Sequence, residues 1–152
     1  MDDNAAREFW GEYEHSVDDK GRVVIPQDFR GPLGDRFIVT RGPDKSVLVM
    51  PTTVWQPIQE NLRDPNLHRD RAFLQRMLGG RTEVSLDPQS RLAIPKHLRD
   101  HAGISNSQTA VIVGQGRKFE IWSKVNWDEI ATQFTSENMY SAAEGAGLAK
   151  AI

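Results

Sequence analysis

The sequence predicts an α+β fold, mainly β, in which one unit is written twice and the copies pack about a pseudo-twofold axis. Three observations lead there. "HSVDDKGRVVIP" at His15–Pro26 is echoed by "EVSLDPQSRLAIP" at Glu83–Pro95. With Arg22 set on Arg91, residues Val17, Asp18, Ile25, Pro26 and Arg30 fall on Leu86, Asp87, Ile94, Pro95 and Arg99. Downstream, "FIVTRGPDKSVLVMPTTVWQPI" lies over "AVIVGQGRKFEIWSKVNWDEI", which puts Trp55 on Trp127 and Ile58 on Ile130. The register changes only between elements, after Arg99 and near Gly116, where insertions are best tolerated. A unit this short has little interior and leaves strand edges unpaired, and two copies packed together answer both needs.

Each unit reads in the same order. Glu12 to Val17 alternates, with Tyr13, His15 and Val17 on one face. A polar turn follows, and Arg22 to Ile25 is rich in β-branched residues, so the stretch reads as a β-hairpin. Pro26 and Pro95 suit first helical positions, giving short helices over Pro26–Arg30 and Pro95–Ala102, the second stopped by Gly103. A second hairpin joins Phe37–Thr40 to Val47–Met50, and its copy joins Val111–Val113 to Phe119–Trp122. Behind Thr52 or Thr53 as cap, Val54, Trp55, Ile58 and Leu62 recur at helical spacing, with Pro57 placed in or near the first turn. Trp127, Ile130, Ala131 and Phe134 repeat that stripe. Trp55 and Trp127 are therefore expected in the core or at a subunit interface, and Trp122 in packing. A connector helix over Arg71–Leu78 closes at Gly79-Gly80. The tail from Thr135 has little to bury and is expected to be a partner-dependent helix or mobile. The expected organisation is a first repeat at 9–62, a helical connector at 63–80, a second repeat at 81–134 and a tail at 135–152.

Composition narrows the function classes. With 38% hydrophobic residues the chain can bury a core. Cysteine is absent, which excludes disulfides and thiol chemistry, and no apolar run is long enough to span a membrane. The acidic start lacks a signal-peptide layout, so a soluble intracellular protein is expected. His15, His68, His97 and His101 form no metal-binding pattern; His97 and His101 read as helix-surface residues, and neither a metal nor a cofactor is expected. No nucleophile triad or phosphate-cradling glycine loop is visible, so an enzyme is not expected. A net charge of -2 argues against non-specific coating of nucleic acid. The stretch from Arg63 to Arg81 is locally basic, with Arg63, Arg69, Arg71, Arg76 and Arg81 against Asp64 and Asp70. A solvated helix face with intrahelical ion pairs accounts for it.

The repeated loop carries the functional signal. As turn chemistry alone, Asp18 would bond nearby backbone N–H groups and Gly21 would supply a positive φ. Yet Asp19-Lys20-Gly21 becomes Pro88-Gln89-Ser90 while the spacing Asp-x-x-x-Arg is kept. An arginine oriented by a carboxylate can still present guanidinium N–H groups to a phosphate or a guanine edge, and a two-stranded ribbon fits a major groove. The candidate DNA contacts are Lys20 and Arg22 in one loop, Gln89 and Arg91 in the other. Asp18 and Asp87 are expected to orient the arginines, with Gly21 shaping the turn.

"GEYEHSVDDKGRVVIP", at Gly11 to Pro26, and the later "DPQSRLAIP" resemble the MraZ family of bacterial transcriptional regulators, whose repeats are of the SpoVT/AbrB swapped-hairpin class. The resemblance runs from about Phe9 to Phe134. It implies duplicated swapped-hairpin units forming a barrel-like domain with flanking helices. It also implies a sequence-specific regulator of the division and cell-wall gene cluster that binds double-stranded DNA at short direct repeats in its own promoter. The Asp-x-x-x-Arg loops, matched here by Asp18 with Arg22 and by Asp87 with Arg91, would be presented by a ring-shaped homo-oligomer. A cytoplasmic, nucleoid-associated protein with no membrane partner follows. Ser90 stands where the family motif commonly has glycine, which leaves the second loop free to turn differently. Competing readings are an AbrB-type or antitoxin-like regulator of another promoter, and a ring-forming scaffold whose loops bind proteins.

Overall fold

A computed structural model of the chain describes residues 8–64 and 71–147. His68 and Arg69 of the connector, and the last residues of the tail, lie outside the described residues. The first repeat supplies β1 (Glu12–Ser16), β2 (Arg22–Val24), α1 (Gln27–Leu33), β3 (Phe37–Arg41), β4 (Val47–Pro51) and α2 (Thr52–Leu62). After α3 (Arg71–Gly80), the second supplies β5 (Thr82–Val84), β6 (Arg91–Ala93), α4 (Lys96–Ala102), β7 (Thr109–Gly114), β8 (Phe119–Ser123) and α5 (Lys124–Ala131). Helix α6 (Ser136–Gly145) follows.

The strands form a six-stranded antiparallel sheet in the order β1-β7-β8-β4-β3-β5 and a separate two-stranded ribbon of β2 with β6. The local hairpin expected of β1 and β2 is therefore not made. The turn between them closes, with the Asp18 N–H on Arg22 O at 2.9 Å, but β1 leaves to pair with β7 and β2 with β6. Alternation identifies a strand and its buried face; it does not name the partner, and here each repeat completes the other's sheet. The registers carry the symmetry that the repeat predicted. Leu48 faces Glu120 at the sheet centre and Val23 faces Leu92 in the ribbon, both pairs being repeat-equivalent positions.

The core lies between ribbon and sheet. Strand residues at alternate positions (Phe37, Val39, Val47, Val49, Ile112, Phe119, Ile121) meet Val23, Ile25, Leu92 and Ile94, while Phe29 and Leu98 plug it from α1 and α4. Phe29 makes close ring contacts with Phe9, Tyr13 and Phe119 at centroid distances of 5.2, 5.4 and 5.0 Å. The opposite sheet face of the first repeat, Ile38, Leu48 and Met50, is covered by Trp55 of α2 and by Met77 and Leu78 of α3.

Several local expectations are corrected. Pro26 and Pro95 are the N-cap residues of α1 and α4, one position earlier than predicted, and the two helices are equally long. Neither Thr52 nor Thr53 caps α2; Pro51 holds the N-cap position and both threonines are helical. Pro57 lies inside α2, past its first turn. In α5 the stripe only partly packs. Trp127 is half-buried against Trp122, ring centroids 5.7 Å apart, whereas Phe134 lies beyond the helix and is 62% exposed. The tail forms a helix, α6, whose N-cap Thr135 accepts the Asn138 N–H. His97 and His101 are more than surface decoration: their Nε2 atoms lie 2.9 Å from Gly80 O and 3.1 Å from Gly42 O, tying α4 to the ends of α3 and β3.

Candidate nucleic-acid interface

The two Asp-x-x-x-Arg loops lead into the β2–β6 ribbon from its opposite ends, Arg22 facing Ala93 and Arg91 facing Val24, and are built alike in how each aspartate holds its arginine. Asp18 Oδ1 accepts the Lys20 and Arg22 N–H groups at 2.9 and 2.8 Å, and Oδ2 accepts Arg22 Nε–H at 2.7 Å. Asp87 Oδ1 accepts the Gln89 and Arg91 N–H groups at 2.9 and 2.8 Å, and Oδ2 accepts Arg91 Nε–H at 2.7 Å. The carboxylate thus takes over the role of a missing backbone acceptor and at the same time aims the guanidinium. Cross-strand bonds, Ile25 N–H to Ser90 O and Ile94 N–H to Gly21 O, both 3.0 Å, fix the loops relative to each other.

Burial pushes the Asp18 carboxyl up, but the Arg22 backbone N–H, the Arg22 side chain, the Lys20 N–H and the Arg22 charge together bring it down to about 2. Asp87 is lowered in the same way, desolvation being outweighed by hydrogen bonds from Arg91 and Gln89 and by the Arg91 charge. Carboxyls depressed below their unfolded value support the loops fully above that value and lose the contribution as pH falls through the folded one. At neutral pH both therefore hold their arginines as ion pairs.

The expectation that Ser90 would let the second loop turn differently is not met. Ser90 adopts φ 60° and Gly21 φ 74°, so both turns enter the left-handed region, the second with a residue that lacks glycine's freedom there. The loops differ instead in what engages each arginine. Arg91 Nη2 donates to Gln89 Oε1 at 3.1 Å, and its Nη1 lies 3.8 Å from Asp18 Oδ2. Both terminal nitrogens of Arg91 are thus turned toward protein oxygens. Those of Arg22 meet no acceptor among the described residues, and Lys20 beside them is exposed.

Sequence reasoning missed two residues around the first loop. Arg99 lies against Gly21, so close that a Cβ there would fall 2.7 Å from the Arg99 Cζ. Its Nη1 donates to Asn106 Oδ1 at 3.1 Å, and Asn106 Nδ2 donates to Asp19 O at 2.9 Å. Arg99 was visible as a repeated residue, matched by Arg30, and the two make equivalent 3.0 Å bonds from Nε to Ile94 O and Ile25 O. Asn106 gave no signal, because it sits in the segment after Arg99 where the two copies lose register. Among the described residues no group of three or more His, Asp and Glu side chains could hold a metal ion, and no helix is long and apolar enough to cross a membrane.

A protein-family model, "MraZ protein, putative antitoxin-like", matches this chain twice, over residues 9–76 and 77–148. The chain belongs to the MraZ family. Three relatives carry the description "Transcriptional regulator MraZ". That of Oenococcus oeni is 44% identical over 138 residues, spanning 90% of this chain and 94% of that protein. The Leuconostoc mesenteroides protein is 40% identical over 139 residues, 90% and 95% of the two chains. The Natranaerobius thermophilus protein is 41% identical over 130 residues, 84% and 90%. In this MraZ-family chain both family matches contain one complete Asp-x-x-x-Arg loop, and the fold brings the two loops together across the ribbon.

Proposed function

We propose that the chain is a transcriptional regulator that binds double-stranded DNA sequence-specifically, with Arg22 and Lys20 of the first loop and Arg91 and Gln89 of the second as the contacting groups. The observation that carries the reading is the pair of like-built loops at the two ends of a short, narrow ribbon, each holding an arginine by its Nε and so near each other that Arg91 Nη1 comes within 3.8 Å of Asp18 Oδ2. A carboxylate-aimed fork of this kind suits a phosphate or a guanine edge. The protein acts in the cytoplasm at the nucleoid, on the promoter of the division and cell-wall gene cluster, its own promoter included.

Few positive groups serve one subunit of a chain with net charge -2, so a single pair of loops is a weak reader. Self-association, in the form of a ring, lets several pairs engage successive direct repeats, each further contact gaining effective concentration. Val125, Phe134, Met139 and Tyr140 around α5 and α6 are 59–69% exposed, which supports an association surface on that side. Fluorescence anisotropy with a labelled duplex from the region upstream of this protein's own gene tests the reading. Tight binding with a steep salt dependence, and a sharp drop when the duplex carries one repeat instead of several, is the expected result. Equal binding to a scrambled duplex would overturn the specific function, and equal affinity for one repeat and several would remove the ring from it.

Asp18 serves both arginines, through 2.7 Å to Arg22 and 3.8 Å to Arg91, whereas Asp87, among the described residues, serves its own loop alone. Asp18→Ala should therefore weaken duplex binding more than Asp87→Ala in the same titration. An affinity gain in Asp18→Ala would show that its charge merely repels DNA.

A further inference from the structure

We infer that Arg99 and Asn106, from the second repeat, are positioning residues for the first repeat's contact loop, and that this brace makes the two loops unequal readers. The inference rests on the DNA-binding reading above and adds to it which loop is preset and by what.

The geometry runs as one connected path. Arg99 is anchored through Nε–H to Ile94 O at 3.0 Å, and its guanidinium lies over Gly21 in space that a Cβ would fill. From there Nη1 donates to Asn106 Oδ1, and the other end of that amide, Nδ2, donates to Asp19 O in the tip of the first loop. Asn106 is itself held by the backbone that follows it. Ser107 N–H donates to Val17 O at 2.8 Å, and Val17 N–H to Gln108 O at 2.8 Å. The peptide that joins Asp19 to Lys20 is therefore held on both sides, its carbonyl by Asn106 and its N–H by Asp18, which leaves Lys20 and Arg22 little freedom to reorient. A group held in the bound geometry before binding loses less freedom on binding.

The second loop is made differently. At the position of Gly21 it has Ser90, with a Cβ where Arg99 lies in the first. The segment from Arg30 to Phe37 is shorter than the one from Arg99 to Ala110, so the first repeat has no residue aligned with Asn106. What it has instead is Gln89, whose Oε1 holds Arg91 Nη2 and must give up that bond, or share it, when Arg91 turns to an external acceptor. The first loop is braced from behind with its arginine edge free; the second is fastened at the edge it would present.

The test uses Asn106→Ala, chosen because Asn106 is exposed and loses two side-chain bonds without opening the core. In anisotropy titrations against the upstream duplex, the substitution should weaken binding about fivefold. It should do so equally in the native and Arg91→Ala backgrounds, and cost clearly less in an Arg22→Ala background, where Lys20 alone is left to be held. A loss of the same size in all three backgrounds, or none in the native one, overturns the inference, since a general structural role would not depend on Arg22. Amide hydrogen exchange of the free protein supplies a readout independent of DNA. The Lys20 and Arg22 amides should exchange faster in Asn106→Ala while Gln89 and Arg91 keep their native rates; unchanged Lys20 and Arg22 exchange overturns the brace. If the native protein binds no duplex, the DNA reading fails, and the exchange rates still decide whether the brace exists.

Discussion

Replacing Arg22 by alanine is expected to remove most of the affinity for the upstream duplex while leaving the fold intact. Arg22 lies at the start of the ribbon with its side chain 27% exposed, and its truncation empties no part of the core. A well-made arginine contact to a base edge contributes about 1–3 kcal/mol, roughly 5- to 150-fold, and in the proposed ring the loss would compound over the subunits that engage one duplex. Arg91→Ala should cost less, because the terminal nitrogens of Arg91 already have oxygens of Gln89 and Asp18 to face. Arg22→Lys should fall between native and alanine, since it keeps the charge and loses the fork. The salt series separates two kinds of contact. If Arg22 meets a phosphate, the slope falls by about one and every duplex suffers alike; if it meets a base, the scrambled and native duplexes become harder to tell apart. Native-like affinity in Arg22→Ala, with an unchanged thermal transition, would withdraw the loop from DNA contact altogether.

Phe29→Ala is expected to have the largest effect on stability. Phe29 is 1% exposed and has aromatic neighbours on three sides, Phe9, Tyr13 and Phe119. Those neighbours come from the segment before β1, from β1 and from β8, so no single element can move to fill the void. Truncating a phenylalanine in such a site costs about 3–5 kcal/mol, a large share of the roughly 5–15 kcal/mol that holds an ordinary domain together. Urea unfolding followed by circular dichroism checks it. A loss below about 1 kcal/mol would show that α1 settles into the gap. The repeat-equivalent Leu98 offers a comparison within the same molecule, since it is just as buried from α4.

The duplication made much of this fold legible before any coordinates. Setting Arg22 on Arg91 aligned Val23 with Leu92, and setting Trp55 on Trp127 aligned Leu48 with Glu120; both alignments became cross-strand pairs about the pseudo-twofold axis. What one chain cannot announce is which strand pairs with which, because period-two alternation is blind to the partner. The turn at Asp18–Arg22 accordingly read as the bend of a hairpin whose strands in fact part company. Helix ends misled for a related reason. Thr52 and Thr53 are good capping residues by type, but Pro51 leaves the strand with the backbone angles of a cap and begins α2 first. Phe134 read as part of a packed stripe, and the chain bends away before it. At the candidate site, both orienting aspartates lie where the Asp-x-x-x-Arg spacing put them, and Gly21 supplies the positive φ expected of it. Asn106 could not be read from sequence, since its importance comes from an amide that spans two repeats.

The division of labour in the ribbon also bears on when the molecule becomes competent. Among the described residues β2 pairs with β6, β1 with β7, and the carbonyl of Asp19 with the Asn106 amide. Contacts so far apart along the chain form late and together. A chain still being synthesised, with its first loop already outside the ribosome, has the aspartate and the arginine but nothing behind them. It should be unable to occupy an operator until the second half has emerged and closed over the first. Binding competence would then be acquired in one step at the end of synthesis, so that half-made chains do not compete with finished ones for the promoter.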